Sequence, residues 1–209
     1  MPLPIRILIV DDHPVVRSGL TSMLSTKPDF EIVGAAPGGA EALAILEREK
    51  VDVVLLDLRM SGMSGLDVLR ALVTRKGAPR TIILSTYETD EEVYRAVQAG
   101  ARGYLIKSIS QNEIVEAITS VHDGKLYLPR HIALRLTERM SRPTLTSREV
   151  EILEMLAKGL TNKEIGKVFQ ISENTARNHV NSIIQKLEVS DRTEAATTAL
   201  LRGIIQLES

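Results

Sequence analysis

The chain has 209 residues, of which 44% are hydrophobic and 25% are charged, and its net charge is −1. This composition is typical of a globular protein, and the absence of cysteine excludes disulfides and thiolate metal sites. No apolar stretch approaches the roughly 20 residues that a membrane-spanning helix needs, so we expect a cytoplasmic protein with one large or two ordinary domains.

In residues 1–123, short apolar runs alternate with stretches of helical periodicity. This pattern predicts five strands that alternate with five helices, as in an α/β fold. Strands are predicted near residues 5–10, 31–35, 52–57, 81–85 and 103–106. Helices are predicted near residues 14–25, 38–49, 64–75, 90–99 and 111–122. We expect a doubly wound, flavodoxin-like sheet of five parallel strands in the order 2-1-3-4-5.

Residues 124–143 are basic, with five basic side chains and one acidic one, and they predict a linker that holds one short helix. This basic segment either supplies extra phosphate contacts or pairs with the acidic residues of positions 1–123. From residue 144 to residue 209, strand-like runs give way to a small all-α domain. Helices are predicted near residues 147–158, 162–169, 173–187 and 192–203. The tight turn between the second and third of these predicts a helix-turn-helix.

Chemically active side chains follow four of the predicted strands, at the point where each strand ends. Asp11 and Asp12 follow the first strand, Asp57 ends the third, Ser85 the fourth, and Lys107 follows the fifth. Ligands of open α/β sheets bind along this edge, so we expect these side chains to converge. Carboxylates about 4 Å apart repel by roughly 4 kcal/mol per pair at an effective dielectric near 20, which favours a bound divalent cation.

Oxygen ligands without histidine or cysteine favour Mg²⁺ over zinc. A metal beside a carboxylate, an ammonium and a hydroxyl is suited to phosphoryl transfer. We therefore predict that Asp57, at the sheet centre, is the nucleophile, and that Asp11 and Asp12 hold the metal.

Ordinary structural roles remain alternatives for single residues. The acid pair could cap the following helix, Tyr104 could be a half-buried strand residue, and Lys107 could be a solvated lysine. His13 is expected to be a surface residue beside the site, or one that touches a phosphodonor protein. The common register of the acids, the hydroxyl and the ammonium favours the site.

Residues 1–123 resemble the receiver domains of two-component systems. The stretches VDDHP at 10–14 and DLRMSGMSG at 57–65 are similar to those of the NarL/FixJ family. Residues 144–209 resemble the LuxR-type DNA-binding domain of that family. The matching stretches are LTSRE at 145–149, GLTNKEI at 159–165 and NHV at 178–180. Together the two matches cover all but the linker.

The resemblance implies that a sensor histidine kinase phosphorylates Asp57 in the presence of Mg²⁺. The metal ligands that it implies are Asp11, Asp12, Asp57 and the backbone carbonyl of Arg59. Ser85 and Lys107 would bind phosphoryl oxygens, while Tyr104 would move from an outward to an inward rotamer. Three positions depart from the common pattern: Ser61 and Ser108 stand where many receivers have proline, and Ser85 replaces threonine.

The third helix of residues 144–209, with Ser172 as its N-cap, is predicted to read DNA. The side chains expected to contact bases are Arg177, Asn178 and Asn181. Those expected to contact phosphates are Lys163, Asn174, Thr175, His179 and Lys186. The net charge of −1 opposes strong binding by one copy, so we expect a homodimer on paired half-sites. The resemblance assigns the dimer contact to the last helix, with Ala195, Ala199 and Leu200.

The expected function is that of a response regulator, in which phosphorylation of Asp57 switches dimerisation and binding to double-stranded promoter DNA. We expect no enzyme activity beyond self-phosphotransfer and self-dephosphorylation at Asp57, and no membrane partner. One alternative is the same architecture acting without phosphorylation. Another, an Asp-nucleophile phosphohydrolase, is disfavoured, since such enzymes usually carry a second Asp where this chain has Arg59.

Overall fold

The computed structural model describes residues 3–75, 77–86 and 89–205. Within these residues, five strands form a parallel sheet of order β2-β1-β3-β4-β5, which confirms the predicted topology. The strands are β1 (Ile5–Val10), β2 (Phe30–Ala36), β3 (Val53–Asp57), β4 (Arg80–Ser85) and β5 (Gly103–Ile106). The helices that alternate with them are α1 (Pro14–Leu24), α2 (Gly39–Leu46), α3 (Gly65–Val73), α4 (Asp90–Gln98) and α5 (Gln111–His122).

The central strand β3 is buried along its whole length, because helices cover both faces of the sheet. Parallel strands of this kind read as continuous apolar runs, as Val53–Leu56 does. On one face, α1 and α5 pack on the sheet through a shared apolar cluster that includes Leu24 and Ile118. The carboxyl edge remains available for polar side chains.

The later part of the chain is helical. Its helices are α6 (Arg130–Met140), α7 (Ser147–Ala157), α8 (Asn162–Phe169), α9 (Glu173–Leu187) and α10 (Arg192–Leu201). The chain divides into two compact units, one of residues 1–88 and 93–134, the other of residues 89–92 and 135–209. None of the helices in the described part of the chain has the length and apolar character needed to cross a membrane.

The turn between α8 and α9 is tight because of Gly166. A Cβ at this position would lie 2.8 Å from the carbonyl oxygen of Ile171, so a larger residue would push the two helices apart. Gln170 ends α8 in the left-handed region at φ 55°, and the side chain of Ser172 caps α9 by accepting from the N–H of Thr175. The predicted helix-turn-helix and its N-cap are confirmed.

Three arginines of the basic segment pair with acids inside the second unit. The Nε of Arg139, a residue that is 6% exposed, donates to Glu91 at 2.6 Å. Asp90 accepts from Arg142 at 2.8 Å and from Arg135 at 3.3 Å. These contacts support pairing with acidic groups, which was one of the two roles expected for the basic segment.

Glu149 fixes α7 against α9 in the same unit. Its carboxylate accepts from the N–H and hydroxyl of Thr146 at 2.8 and 3.0 Å, from Ser182 at 2.7 Å and from Lys186 at 2.7 Å. Burial alone would raise the pKa of Glu149, but these hydrogen bonds outweigh it and lower the pKa to about 2. A buried carboxylate with a full set of donors holds a fixed position, and it therefore fixes α9.

Glu149→Gln should lower the unfolding free energy of this unit by about 2–3 kcal/mol at neutral pH, since the neutral amide loses the charge-assisted hydrogen bond to Lys186 and leaves one of the donors around this buried position without an acceptor. Because folding lowers the pKa of Glu149, its stabilisation is complete above the unfolded value of 4.5 and is lost as the pH falls toward 2. Urea denaturation of the full chain, followed by NMR at the α9 amides, measures both effects.

Glu151→Gln is the matched control on the same helix. Glu151 is exposed and pairs along the helix with Arg148, at 2.9 Å, so its loss should cost less than about 0.5 kcal/mol. Equal losses in the two variants, or an unchanged acid dependence in Glu149→Gln, would contradict the role assigned to Glu149.

Candidate metal centre and nucleic-acid interface

The carboxyl edge of the sheet gathers the predicted site residues. Asp11 and Asp12 follow β1, Asp57 and Ser85 are the last residues of β3 and β4, and Lys107 follows β5. Since β1, β3, β4 and β5 are parallel neighbours, their ends meet at one edge.

Lys107 joins two of the carboxylates directly. Its Nζ lies 2.7 Å from Oδ2 of Asp11 and 2.7 Å from Oδ2 of Asp57. These acids are only 1% and 3% exposed. The N–H of Lys107 also donates to the carbonyl oxygen of Ser85 at 2.8 Å, which fixes the chain as it leaves β5. The positive charge of one ammonium thus compensates the negative charges of two buried carboxylates.

The pKa values of Asp57 and Lys107, the two partners of this contact, are both raised. Burial raises the pKa of Asp57, and the hydrogen bond and charge of Lys107 offset that rise only in part. Burial by itself lowers the pKa of Lys107, but the hydrogen bonds to Asp11 and Asp57 outweigh it, and the net pKa is raised. The ammonium therefore keeps its charge at neutral pH, beside a carboxylate whose charge is only partly compensated.

The acid pair and Asp57 form a compact set of oxygen donors. Their ligand atoms and that of His13 all lie within 4.8 Å of one another. Asp12 is the more open of the pair, with 27% of its side chain exposed, and its Oδ2 accepts the N–H of Ser61 at 3.2 Å. The N–H of Arg59 turns back to Oδ1 of Asp57 at 3.3 Å. Three carboxylates in this space fit a hard divalent cation, so the pocket is consistent with Mg²⁺.

Ser85 and Tyr104 are both buried. Ser85 is 1% exposed at the end of β4, and the ring of Tyr104 on β5 is fully buried. The inward position of Tyr104 matches one of the two rotamers expected from the resemblance. The movement between the rotamers stays a prediction.

Gly65 supports the site and was not predicted from the sequence. A Cβ at Gly65 would overlap the carbonyl oxygen of Asp57, so only glycine lets α3 begin this close to the end of β3. Ser64 caps α3 by accepting from the N–H of Asp67, and Gly65 donates to the carbonyl of Leu58 at 3.0 Å. The Ser-Gly pair at a predicted helix start was the available signal.

Helix α9 presents a polar face and buries an apolar one. The exposed residues on it include Asn174, Thr175, Arg177, Asn178 and Asn181, while His179 is half-buried. The predicted inner face is confirmed, with Val180, Ile183 and Leu187 buried and Ile184 partly buried. Lys163 on α8 is exposed as well. This is the arrangement that a recognition helix needs for the major groove.

Two of the predicted DNA contacts, Lys186 and Arg177, pair with carboxylates of the protein. Lys186 pairs with Glu149, and 30% of its side chain is exposed. Arg177 pairs with Glu173 at 3.0 Å, one turn back along the exposed face. The first contact is part of the buried network that fixes α9, which weakens the case for Lys186 as a phosphate contact. The second is exposed and easily exchanged.

The dimer contact predicted on α10 needs a correction. Ala195 and Ala199 are fully buried in the core of their own unit, because they face the apolar cluster formed with α7 and α9. They are therefore inaccessible to a second copy. Leu200, which is 38% exposed, and Leu201, which is 76% exposed, belong to the outward side of α10.

Two family models match separate parts of the chain. Residues 7–119 match the profile of response regulator receiver domains, and residues 143–199 match that of bacterial regulatory proteins of the luxR family. The transcriptional regulatory protein LiaR of Bacillus subtilis is 37% identical over 203 residues, which cover 93% of this chain and 96% of LiaR.

Solved structures give the same picture. The response regulator ChrA of a heme-sensing two-component system is 37% identical, with a TM-score of 0.56, over 97% of this chain and 99% of that one. The response regulator RcsB of Salmonella typhimurium is 21% identical, with a TM-score of 0.72, over 92% of this chain and 98% of that one, and it shares the fold.

Proposed function

This chain belongs to the two-component response regulators with a LuxR-type DNA-binding domain, and we propose that Asp57 is its phosphoacceptor. The chain is thus a transcriptional regulator. The observation that carries the assignment of Asp57 is its buried carboxylate at the end of β3, held 2.7 Å from Lys107 and beside the acid pair of Asp11 and Asp12.

The phosphodonor is a phosphohistidine of a sensor kinase. A carboxylate oxygen of Asp57 attacks the phosphorus, the P–N bond breaks with its electron pair going to the ring nitrogen, and the donor leaves as a neutral imidazole that keeps the proton on its other ring nitrogen. An acyl phosphate remains on Asp57. When bound, Mg²⁺ supplies compensation for the charge on the phosphoryl oxygens. The groups that would hold it are the carboxylates of Asp11, Asp12 and Asp57 and the backbone carbonyl of Arg59.

Phosphorylation adds roughly two negative charges at a site where one ammonium, that of Lys107, already contacts two carboxylates. Lys107 then exchanges its contact with the Asp57 carboxylate for one with a phosphoryl oxygen. The hydroxyl of Ser85 binds another phosphoryl oxygen, and the loop after β4 moves inward. Burial of the Tyr104 ring accompanies that movement. The burial of Ser85 and Tyr104, on the strands next to the site, supports this account.

In the DNA-binding domain, α9 enters the major groove. Arg177, Asn178 and Asn181 read bases, and their exposure on one helix supports this role. Asn174, Thr175, His179 and Lys163 bind phosphates. Two copies bind paired half-sites, with the outward side of α10, including Leu200, at the dimer contact.

The receiver occupies residues 1–123, the linker residues 124–143 and the DNA-binding domain residues 144–209. The kinase domain that donates the phosphoryl group and the promoter DNA both lie in the cytoplasm, where we place this chain. Its only covalent chemistry is phosphotransfer to Asp57 and loss of the phosphoryl group from it.

Measurements of DNA affinity test whether phosphorylation of Asp57 controls DNA binding. Wild type treated with beryllium fluoride and Mg²⁺, which mimic the phosphoryl group, should bind its operator at least tenfold more tightly than untreated wild type, because dimerisation doubles the phosphate contacts. Asp57→Ala should bind equally with and without the mimic. Selection from a genomic fragment library, followed by titration, supplies the operator and the affinities.

Equal binding by wild type and Asp57→Ala under both conditions would favour regulation without phosphorylation. Hydrolysis of many equivalents of a small phosphate ester by the wild type would instead favour a phosphohydrolase. Formation of one hydroxylamine-sensitive phosphate per chain, absent in Asp57→Ala, is the result expected for a phosphoacceptor.

The sequence preference and the salt dependence of DNA affinity distinguish base contacts from phosphate contacts. Arg177→Ala should cost about 1–3 kcal/mol on the operator and relax the preference at one base pair. Lys163→Ala should weaken binding to all sequences alike and reduce the slope of log K against log salt by about one. Each variant is the control for the other, and an identical pattern in both would contradict the division into base and phosphate contacts.

A further inference from the structure

Arg148, in the stretch LTSRE at 145–149, joins α7 to the end of α8. Its Cζ lies 4.1 Å from the centre of the Phe169 ring, and its Nη2 donates to the carbonyl oxygen of Phe169 at 3.3 Å. Phe169 is the last residue of α8, and its partly buried ring packs against the apolar cluster of this unit. One guanidinium therefore contacts both the ring and the backbone of the residue at which α8 ends.

This contact is favourable for two physical reasons. A cation over an aromatic face is attracted by the charge distribution of the ring, and the planar guanidinium of arginine can stack and donate hydrogen bonds at the same time. The last four carbonyls of a helix have no partner within the helix and lie at the negative end of its dipole. Arg148 brings a donor and a positive charge to one of these carbonyls, that of Phe169.

The turn into α9 begins at the residue after Phe169. Gln170 is in the left-handed region at φ 55°, and the N–H of Ile171 donates back to the carbonyl oxygen of Gly166 at 2.9 Å. Ser172 then caps α9. Because the guanidinium contact lies next to this short turn, the position of Phe169 determines where α9 begins.

Arg148 and its neighbour Glu149 hold the two helices of the helix-turn-helix against α7. Glu149 accepts hydrogen bonds from Ser182 and Lys186 in the later part of α9, whereas Arg148 contacts the end of α8. Base recognition requires side chains placed to within about 0.5 Å, whereas attraction to phosphates tolerates small displacements. A support that fixes both helices therefore matters most for recognition of the base sequence.

We propose that Arg148 is a positioning residue for sequence-specific DNA binding, which acts through Phe169 by fixing the end of α8 and hence the start of α9. This inference rests on the proposed role of α9 as the recognition helix. Loss of the contact displaces the residues that read bases, while the positive charges that attract any duplex remain. The affinity for the operator should therefore fall more than the affinity for other sequences.

Two other roles of Arg148 make different predictions. The side chain is 39% exposed, and a direct phosphate contact would weaken binding to all sequences alike, reduce the slope of log K against log salt by about one, and be replaceable by lysine. A role in stability alone would lower the unfolding free energy and leave the ratio of operator affinity to random-sequence affinity unchanged.

The experiment titrates the full chain with the selected operator and with a random-sequence duplex of the same length, with beryllium fluoride and Mg²⁺ present throughout. Arg148→Ala should weaken operator binding roughly tenfold and random-sequence binding less than about twofold, with an unchanged salt slope. Arg148→Lys should weaken operator binding about threefold or more, because an ammonium does not reproduce the stacked, hydrogen-bonded contact.

Phe169→Leu removes the ring and should also lower the affinity ratio. Its effect should not add to that of Arg148→Ala, since both substitutions break the same contact. Glu151→Gln is the matched control, because it removes the exposed partner of Arg148 at 2.9 Å and leaves the contact with Phe169 in place. Neither affinity should change in Glu151→Gln.

An unchanged affinity ratio in Arg148→Ala, equal losses on both duplexes, or full operator affinity in Arg148→Lys would overturn the proposal. Arg177→Ala in the same titrations distinguishes this result from failure of the proposed recognition helix. If Arg177→Ala weakens operator binding and Arg148→Ala does not, only the role of Arg148 is wrong. If neither substitution weakens it, the role of α9 in base recognition is wrong as well.

Discussion

The contact of one ammonium with two buried carboxylates sets the conditions for the rest of the receiver. Lys107 lies 2.7 Å from both Asp11 and Asp57, at an edge where three parallel strands deliver acids or hydroxyls. Without a cation, like charges this close repel by several kcal/mol. The parallel sheet creates this repulsion, since it directs the carboxyl ends of its strands to one place. Any ligand that changes the charge there must also change the position of Lys107.

A change of charge at Lys107 would also affect the buried residues that pack beside the site. Ser85 and Tyr104 lie on the strands next to the site, and both are buried. Close-packed interiors do not deform gradually, so a moved ammonium or loop requires a discrete rearrangement of its neighbours. Gly65 contributes as well, because the start of α3 touches the backbone of Asp57. The site is therefore packed closely against β4, β5 and the start of α3.

The DNA-binding domain uses a buried charge for a different purpose. Glu149 accepts hydrogen bonds from Thr146, Ser182 and Lys186, and its pKa falls to about 2. Its charge is permanent at neutral pH, and it holds the recognition helix rather than responding to a ligand. In the receiver, Asp57 is only partly compensated, and its pKa is raised. The two carboxylates differ in the number of hydrogen bonds that offset their burial, and their pKa values shift in opposite directions for that reason.

The sequence by itself determined the order and kind of the elements, the strand order, the register of the site residues and the buried face of α9. These follow from periodicity, caps and the rule that parallel strands end together. Tertiary structure decided the rest. Periodicity shows that Ala195 and Ala199 share one side of α10, but only packing shows that this side faces inward. Likewise, the partners of Lys186 and the ring of His13 depend on distances between side chains that no local pattern encodes.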